Sequence, residues 1–427
     1  MIRTIIEEIV VWKNKPNRKP LIIQGARQVG KTWVMKEVGK RLFENVVYIN
    51  FESSIRLQQL FTNDFDIPRV ISIFEIETGQ KIEATNTLII LDEIQEAEKG
   101  LTALKYFQEN APEFHIIAAG SLLGVSLQKN NTFPVGKVDF LTLYPMSFEE
   151  FLINLNEQPL VHALHHRQWE IIEPFHEKLI SLLRIYYFVG GMPEAVKTYI
   201  ESKDLEEVRT IQHAIIVGYE NDFAKYAPNN IVPKIRLVWQ SILGQLAKEN
   251  RKFIYGQLKK GARAKDFEEA INWLTNAGLV LKSTQISKPS IPLKSYANYD
   301  IFKLFLLDIG LLNAMGNINS QILLNKNQLL TEFKGAFTEQ YVAQELKLRF
   351  DLVYWSAENA TAEIDFIIQK ELDVKPIEVK AEENLKAKSL KVYREKYNSP
   401  NGIRTSMSPY RKEEWLENLP LYAVMTL

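Results

Sequence analysis

The spacing of apolar positions divides the chain into four stretches. Over residues 1–145, short apolar runs alternate with segments of helical period. Pro20-Leu21-Ile22-Ile23-Gln24, Asn45-Val46-Val47-Tyr48-Ile49-Asn50, Thr87-Leu88-Ile89-Ile90-Leu91 and Phe114-His115-Ile116-Ile117-Ala118-Ala119 are too short for helices and predict four strands. A run as apolar as Thr87–Leu91 predicts a strand buried on both faces of a parallel sheet. Strands alternating with helices over this length predict a doubly wound α/β core. Residues 146–234 then follow helical spacing, as in Lys178-Leu179-Ile180-Ser181-Leu182-Leu183-Arg184, and read as a helical lid. Met146-Ser147-Phe148-Glu149-Glu150-Phe151 opens it with a capping box, Ser147 as N-cap and Glu150 closing it.

Residues 235–330 predict three helices and a short β pair. One helix begins at Phe253-Ile254-Tyr255-Gly256-Gln257-Leu258, a second covers Ala264–Leu274, and a strand starts at Gly278. That order suggests a winged helix-turn-helix. Residues 331–427 open with a helix around Gly335–Leu346, whose apolar face is Phe337, Tyr341, Val342 and Leu346. Two strands follow, Glu363–Ile368 and Pro376–Lys380.

Composition narrows the functional classes. The 427 residues are 46% hydrophobic and 24% charged, which suits a globular chain of two to four domains. No apolar run approaches a membrane span, and the N-terminus reads as an amphipathic helix rather than a signal peptide, so a cytoplasmic location without membrane contact is expected. The absence of cysteine removes disulfides, thiolate metal sites and cysteine nucleophiles. Net charge is zero, so any nucleic-acid contact must come from a local patch. No internal repeat or low-complexity tract is apparent.

The chemistry is most specific where the first strand meets its helix. Gly25-Ala26-Arg27-Gln28-Val29-Gly30-Lys31-Thr32 is a G-x-x-x-x-G-K-T loop between a strand and a helix, the context a P-loop requires. Its backbone N–H groups and the helix N-terminus surround phosphates, Lys31 reaches the β and γ phosphates, and Thr32 supplies a hydroxyl to magnesium. The ATP-binding set is Gly25 to Thr32 with Trp33. Asp92 and Glu93 end the buried third strand, where Asp92 suits the magnesium shell and Glu93 the activation of water. Gly120-Ser121 ends the fourth run, making Ser121 a candidate sensor of the γ-phosphate. ATP and Mg2+ are therefore the expected cofactors.

Gly25–Thr32, Asp92-Glu93 and Ser121 together resemble the AAA-type ATPases. Phe133-Pro134-Val135-Gly136-Lys137-Val138, Leu143–Phe151 and Phe188-Val189-Gly190-Gly191-Met192-Pro193-Glu194 look like the prokaryotic ATPases that carry a DUF4143 region, and the resemblance covers nearly the whole chain. Related ATPases often place an arginine where Lys137 stands. Lys137 then serves as a weaker charge donor, Arg184 replaces it, or both are surface charges. A core without its own arginine finger leaves room for a homo-oligomer.

Asp365, Glu378 and Lys380 resemble the D…E-x-K centre of PD-(D/E)XK nucleases, with Glu339 matching the helix glutamate often found there. The resemblance implies magnesium held by Asp365 and Glu378, with Lys380 positioning water. Alternation along the strand puts Glu378 and Lys380 on one face and points Ile377 and Val379 into the core. This fold also occurs in modules that bind without cutting. Arg251, Lys252, Lys259, Lys260, Arg263 and Lys265 form a basic stretch suited to DNA phosphates, or else a solvated face of a packing module. Two smaller features stay open. Gly190-Gly191-Met192-Pro193 suits a turn near nucleotide or a helix connector. His162, His165 and His166 suit a metal or a polar helix. The lead expectation is an ATPase that binds and processes DNA, branched DNA included; the alternative is a regulatory switch or remodeller that does not cut.

Overall fold

The computed structural model describes residues 1–121, 136–248, 252–320, 331–358, 362–381 and 386–427, with backbone alone for 331–333. Phe133, Pro134, Val135 and Arg251 lie outside the described residues. The chain forms two compact units, Ile2–Tyr144 with Asn276–Gly278, and Pro145–Thr275 with Leu279–Leu427.

The N-terminal unit is built on β1 (Leu21–Gln24), β2 (Asn45–Asn50), β3 (Thr87–Asp92), β4 (His115–Ala119) and β5 (Asp139–Thr142). Their order is β2-β3-β4-β1-β5, and every pairing is parallel. Leu21–Ile23, Leu88–Leu91 and Ile116–Ala119 are buried on both faces, as their unbroken apolar sequence requires. The fifth strand was not among the expected ones. Its residues are half-buried or exposed, because it is an edge strand held through β1 alone.

The C-terminal unit begins with helices. Ser147 caps Phe148–Asn154 in a full capping box with Glu150. Gly190-Gly191-Met192-Pro193 connects helix His176–Val189 to helix Pro193–Ser202, matching the plain connector reading. The turn is tight. Met146 N–H donates to Gly191 O at 2.7 Å, and a Cβ on Gly191 would lie 2.0 Å from Met146 O. Gly191 N–H donates to the buried Asp308 carboxylate at 2.6 Å, and the same carboxylate caps helix Ile309–Met315 through Leu311 N–H.

Helices Leu205–Tyr226, Val232–Leu246 and Ala264–Asn276 lead to β6 (Val280–Ile286) and β7 (Ala297–Leu306), an antiparallel pair. The helix expected from Phe253 is only one 3-10 turn, Tyr255–Gln257. Phe253 N–H donates to Phe302 O in β7 and Ile254 N–H to Gln245 Oε1, which hold the chain extended, and Gly256 adds little helix propensity. The remaining strands are β8 (Val353–Ser356), β9 (Glu363–Ile364), β10 (Phe366–Lys370), β11 (Asp373–Val379), β12 (Gly402–Ser406), β13 (Arg411–Lys412) and β14 (Leu416–Pro420). One sheet runs β7-β6-β8-β9 and the other β10-β11-β12-β14-β13, so Asp365 stands where the chain passes from one sheet to the next. Helix Thr331–Lys347 buries Phe337, Tyr341, Val342 and Leu346 as expected, but also Glu339, Gln340, Gln344 and Glu345. No helix among the described residues is long and apolar enough to cross a membrane.

Candidate functional site

In the N-terminal unit the loop Gly25–Gly30 joins β1 to helix Lys31–Leu42. Gly25 has φ of 150°, and a Cβ there would sit 2.2 Å from Leu143 O, so a side chain is excluded where β5 ends. Arg3, which the sequence did not single out, braces the loop: it donates to Val29 O at 2.9 Å and to Tyr144 O at 2.7 Å. Lys31 is buried and donates to Gly25 O at 3.0 Å and Ala26 O at 2.7 Å. Burial pulls its pKa down to about 8, while Glu93 and Asp92 oppose the fall.

The carboxylates expected from β3 meet this loop. Thr32 Oγ1 donates to Asp92 Oδ2 at 2.7 Å, and the Tyr48 hydroxyl donates to the same oxygen at 2.9 Å. Burial and the bond to Asp92 push the Tyr48 pKa up. Burial alone would raise Glu93, but donors from Gln95 at 2.5 Å and from the Ser121 N–H and hydroxyl at 3.0 and 2.8 Å outweigh it and hold the carboxyl below its usual range. Glu93 also has φ of 51°, uncommon for a non-glycine residue. Tyr48 and Gln95 are thus site residues that the sequence reading missed. The alternation of β2 beside β3, which pairs Tyr48 with Ile90, could have suggested the first. Lys137 pairs instead with Glu109 at 2.9 Å. The oxygen donors Thr32 and Asp92 fit magnesium, which commonly takes one or two protein ligands and leaves its other positions to phosphate and water.

The second constellation lies within the C-terminal unit. Asp365 Oδ2 accepts from Val379 N–H at 2.7 Å, which brings it beside Glu378. Lys380 Nζ donates to Glu378 Oε1 at 2.8 Å. Glu378 and Lys380 meet on one face of β11 and Ile377 is fully buried, as the alternation predicts, but Glu378 is buried as well, 2% exposed, while Val379 is only half-buried. Burial pushes its pKa up, against the pull of Lys380. Glu339 is fully buried, and its partner is Lys303 of β7, at 2.7 Å. Lys303 also donates to Glu363 at 2.6 Å and lies 4.0 Å from Asp365. Its signal in the sequence was a single charge inside Phe302-Lys303-Leu304-Phe305-Leu306-Leu307. Among the described residues no three Asp, Glu or His side chains converge as ligands for a metal ion. Of the donor set implied for a nuclease metal, Lys303 holds Glu339, Lys380 holds one oxygen of Glu378 and Asp365 accepts from Val379 N–H, while Glu378 Oε2 has no hydrogen-bond partner, so lysines compete with a divalent cation for these oxygens. His162 stacks on His166, and His165 pairs with Glu149 at 3.0 Å, as on an ordinary polar helix.

An all-parallel sheet in this order, a glycine loop entering a helix, and a Thr32–Asp92 pair at the strand ends define a P-loop nucleotide-binding domain. Residues 17–152 match the family of AAA domains, 180–322 match a domain of unknown function (DUF8612), and 334–424 match a second (DUF4143). The chain thus carries an AAA domain followed by a DUF8612 and a DUF4143 domain. No match was found among the curated proteins. Solved structures with distant likeness include a Walker-type ATPase of Pyrococcus abyssi, 14% identical with a TM-score of 0.46 over 74% of this chain and 96% of that one. Another is the Orc1 protein of Aeropyrum pernix in complex with DNA, 13% identical, TM-score 0.29, over 74% and 90%. A third is AMPPCP-bound DnaA of Aquifex aeolicus, 15% identical, TM-score 0.26, over 64% and 85%.

Proposed function

We propose that this chain is a magnesium-dependent ATPase whose C-terminal unit engages DNA without cutting it. The observation that carries the DNA reading is the row of exposed cations Lys259, Lys260, Arg263 and Lys265 entering helix Ala264–Asn276. Helices Val232–Leu246 and Ala264–Asn276 with hairpin β6–β7 form a winged-helix-like element in this reading, and the exposed cations neutralise phosphates. The division into core (1–145), lid (146–234), winged helix (235–330) and nuclease-like domain (331–427) remains part of the proposal, with β6 and β8 sharing a sheet across the last boundary.

In the ATPase site, the loop amides bind the phosphate chain. Lys31 exchanges the carbonyls of Gly25 and Ala26 for phosphate oxygens, moving a positive charge toward the transferring group. Thr32 and Asp92 would hold magnesium, which neutralises charge on the phosphates when bound. Tyr48 keeps Asp92 oriented. Glu93, released from Gln95 and Ser121, accepts a proton from the attacking water, and Ser121 is then free to contact the γ-phosphate.

The test is ATP turnover across duplex, single-stranded and junction DNA, with Lys31→Ala as the inactive control, alongside DNA affinity as a function of salt. Reversing Lys259, Lys260 and Arg263 to glutamate should weaken binding and flatten the salt slope by about 2.7, at about 0.9 per lost phosphate contact. An unchanged slope would refute the DNA surface, and retained turnover in Lys31→Ala would refute the ATPase site.

A further inference from the structure

The acidic centre of the C-terminal unit carries its own cations. Lys303 leaves the apolar middle of β7 and is fully enclosed: Glu339 lies at 2.7 Å, Glu363 at 2.6 Å and Asp365 at 4.0 Å. The Tyr354 ring stands 4.8 Å from its Nζ as a further wall. Both Lys303 and Glu339 have no exposed side-chain surface. A buried ammonium survives only where carboxylates and hydrogen bonds compensate it, and these neighbours do so. Around the adjoining carboxylate, Lys380 holds Glu378 at 2.8 Å, and buried Arg404 stands opposite Glu378 in the strand register.

A divalent ion bound by these carboxylates would need to approach their oxygens at about 2.0–2.1 Å for magnesium. Two of the three carboxylates nearest Lys303 already accept short bonds from its ammonium. An entering ion would also meet the resident positive charges of Lys303, Lys380 and Arg404, with little water to screen them.

We infer that the Lys303 ammonium occupies the cation position of this centre, so that Glu339, Glu363 and Asp365 are organised by a resident lysine and not by a divalent metal. Lys303 is a positioning residue: it draws helix Thr331–Lys347, β9 and the Asp365 crossover onto β7. The inference deepens the non-cutting reading and rests on it for the role of the domain. Its test contains no nucleic acid, so the two can fail separately.

The experiment is titration of the nucleotide-free full-length chain with Mn2+, followed by electron paramagnetic resonance and calorimetry. The wild type should show no Mn2+ binding that Asp365→Asn removes, up to millimolar ion. Lys303→Ala should gain at least tenfold in Mn2+ affinity, and adding Asp365→Asn should abolish the gain. Lys303→Gln, which keeps most of the volume and a donor to Glu339, should show the same gain in smaller degree if the alanine variant fails to fold. Asp365-dependent Mn2+ binding in the wild type overturns the inference. So does the absence of any gain in a folded Lys303 variant.

Discussion

Glu345 offers a direct measurement of what a buried carboxyl does to the C-terminal unit. It lies on helix Thr331–Lys347, where Oε1 accepts from Phe148 N–H at 2.9 Å and Oε2 has no hydrogen-bond partner. Burial pushes its pKa from an ordinary 4.5 to about 8. The folded unit therefore keeps a proton that the unfolded chain releases. The stabilising contribution is complete below pH 4.5 and is lost as pH rises through about 8. Asp308, raised by burial to about 6, acts in the same direction at lower pH, so between pH 6 and 8 the contribution of Glu345 is read as the difference between the wild type and a variant that keeps Asp308 and Glu378. At about 1.4 kcal/mol per pH unit, the wild type should lose about 3 kcal/mol more than that variant across this interval. Glu345→Gln is such a variant: it keeps an acceptor for Phe148 and never ionises at this position, so it should lack that loss. Urea unfolding of both proteins at pH 5, 6, 7 and 8, followed by tryptophan fluorescence, measures the difference. Parallel pH profiles for the two proteins would refute a proton held at Glu345.

Two further outcomes follow from contacts in the two units. Tyr48→Phe removes a hydrogen bond to Asp92 worth about 1 kcal/mol, so kcat/KM for ATP should fall about fivefold, with a higher magnesium requirement in steady-state assays. Gly191→Ala places a methyl 2.0 Å from Met146 O in a turn locked by Asp308, so it should cost more than about 3 kcal/mol, seen as a lower urea midpoint for the C-terminal unit.

The sequence revealed most where chemistry is contiguous. Gly25–Thr32 is one loop and Asp92-Glu93 one strand end, so spacing alone brought Thr32 and Asp92 to one magnesium site, whereas the contact of Glu93 with Ser121 came from the structure. β1, β3 and β4 were legible because both of their faces are apolar, and the edge strand β2 because Val47 and Ile49 alternate into the core. The edge strand β5 lacked that mark, with Asp139-Phe140-Leu141-Thr142 half in solvent. The helix expected at Phe253 failed for a different reason: apolar spacing is local, whereas the bond from Phe253 to β7 joins residues far apart. Lys303 was hidden in the same way. Its partners Glu339 and Glu363 lie 36 and 60 residues onward, and no local pattern ties a lone lysine to them. Lys137 shows the converse, a position suggested by resemblance whose ammonium pairs with Glu109.

The burial of Lys303 in a paired strand also limits how this chain can diverge. Because successive side chains on a strand face opposite ways, inserting or deleting one residue in the regularly paired part of β7, Phe302–Leu306 against Val280–Thr284, would turn the ammonium outward and drive Phe302 or Leu304 toward three carboxylates. The segment between β6 and β7 is itself tied, by buried Leu293, whose N–H donates to Gln369 Oε1, and by Ser287 N–H donating to Tyr296 O; the slack lies in β7, where the pairing is irregular between Asn298 and Phe302. Among descendants of this sequence, length variation should therefore collect between Asn298 and Phe302, while the pairing of Phe302–Leu306 with β6 stays fixed.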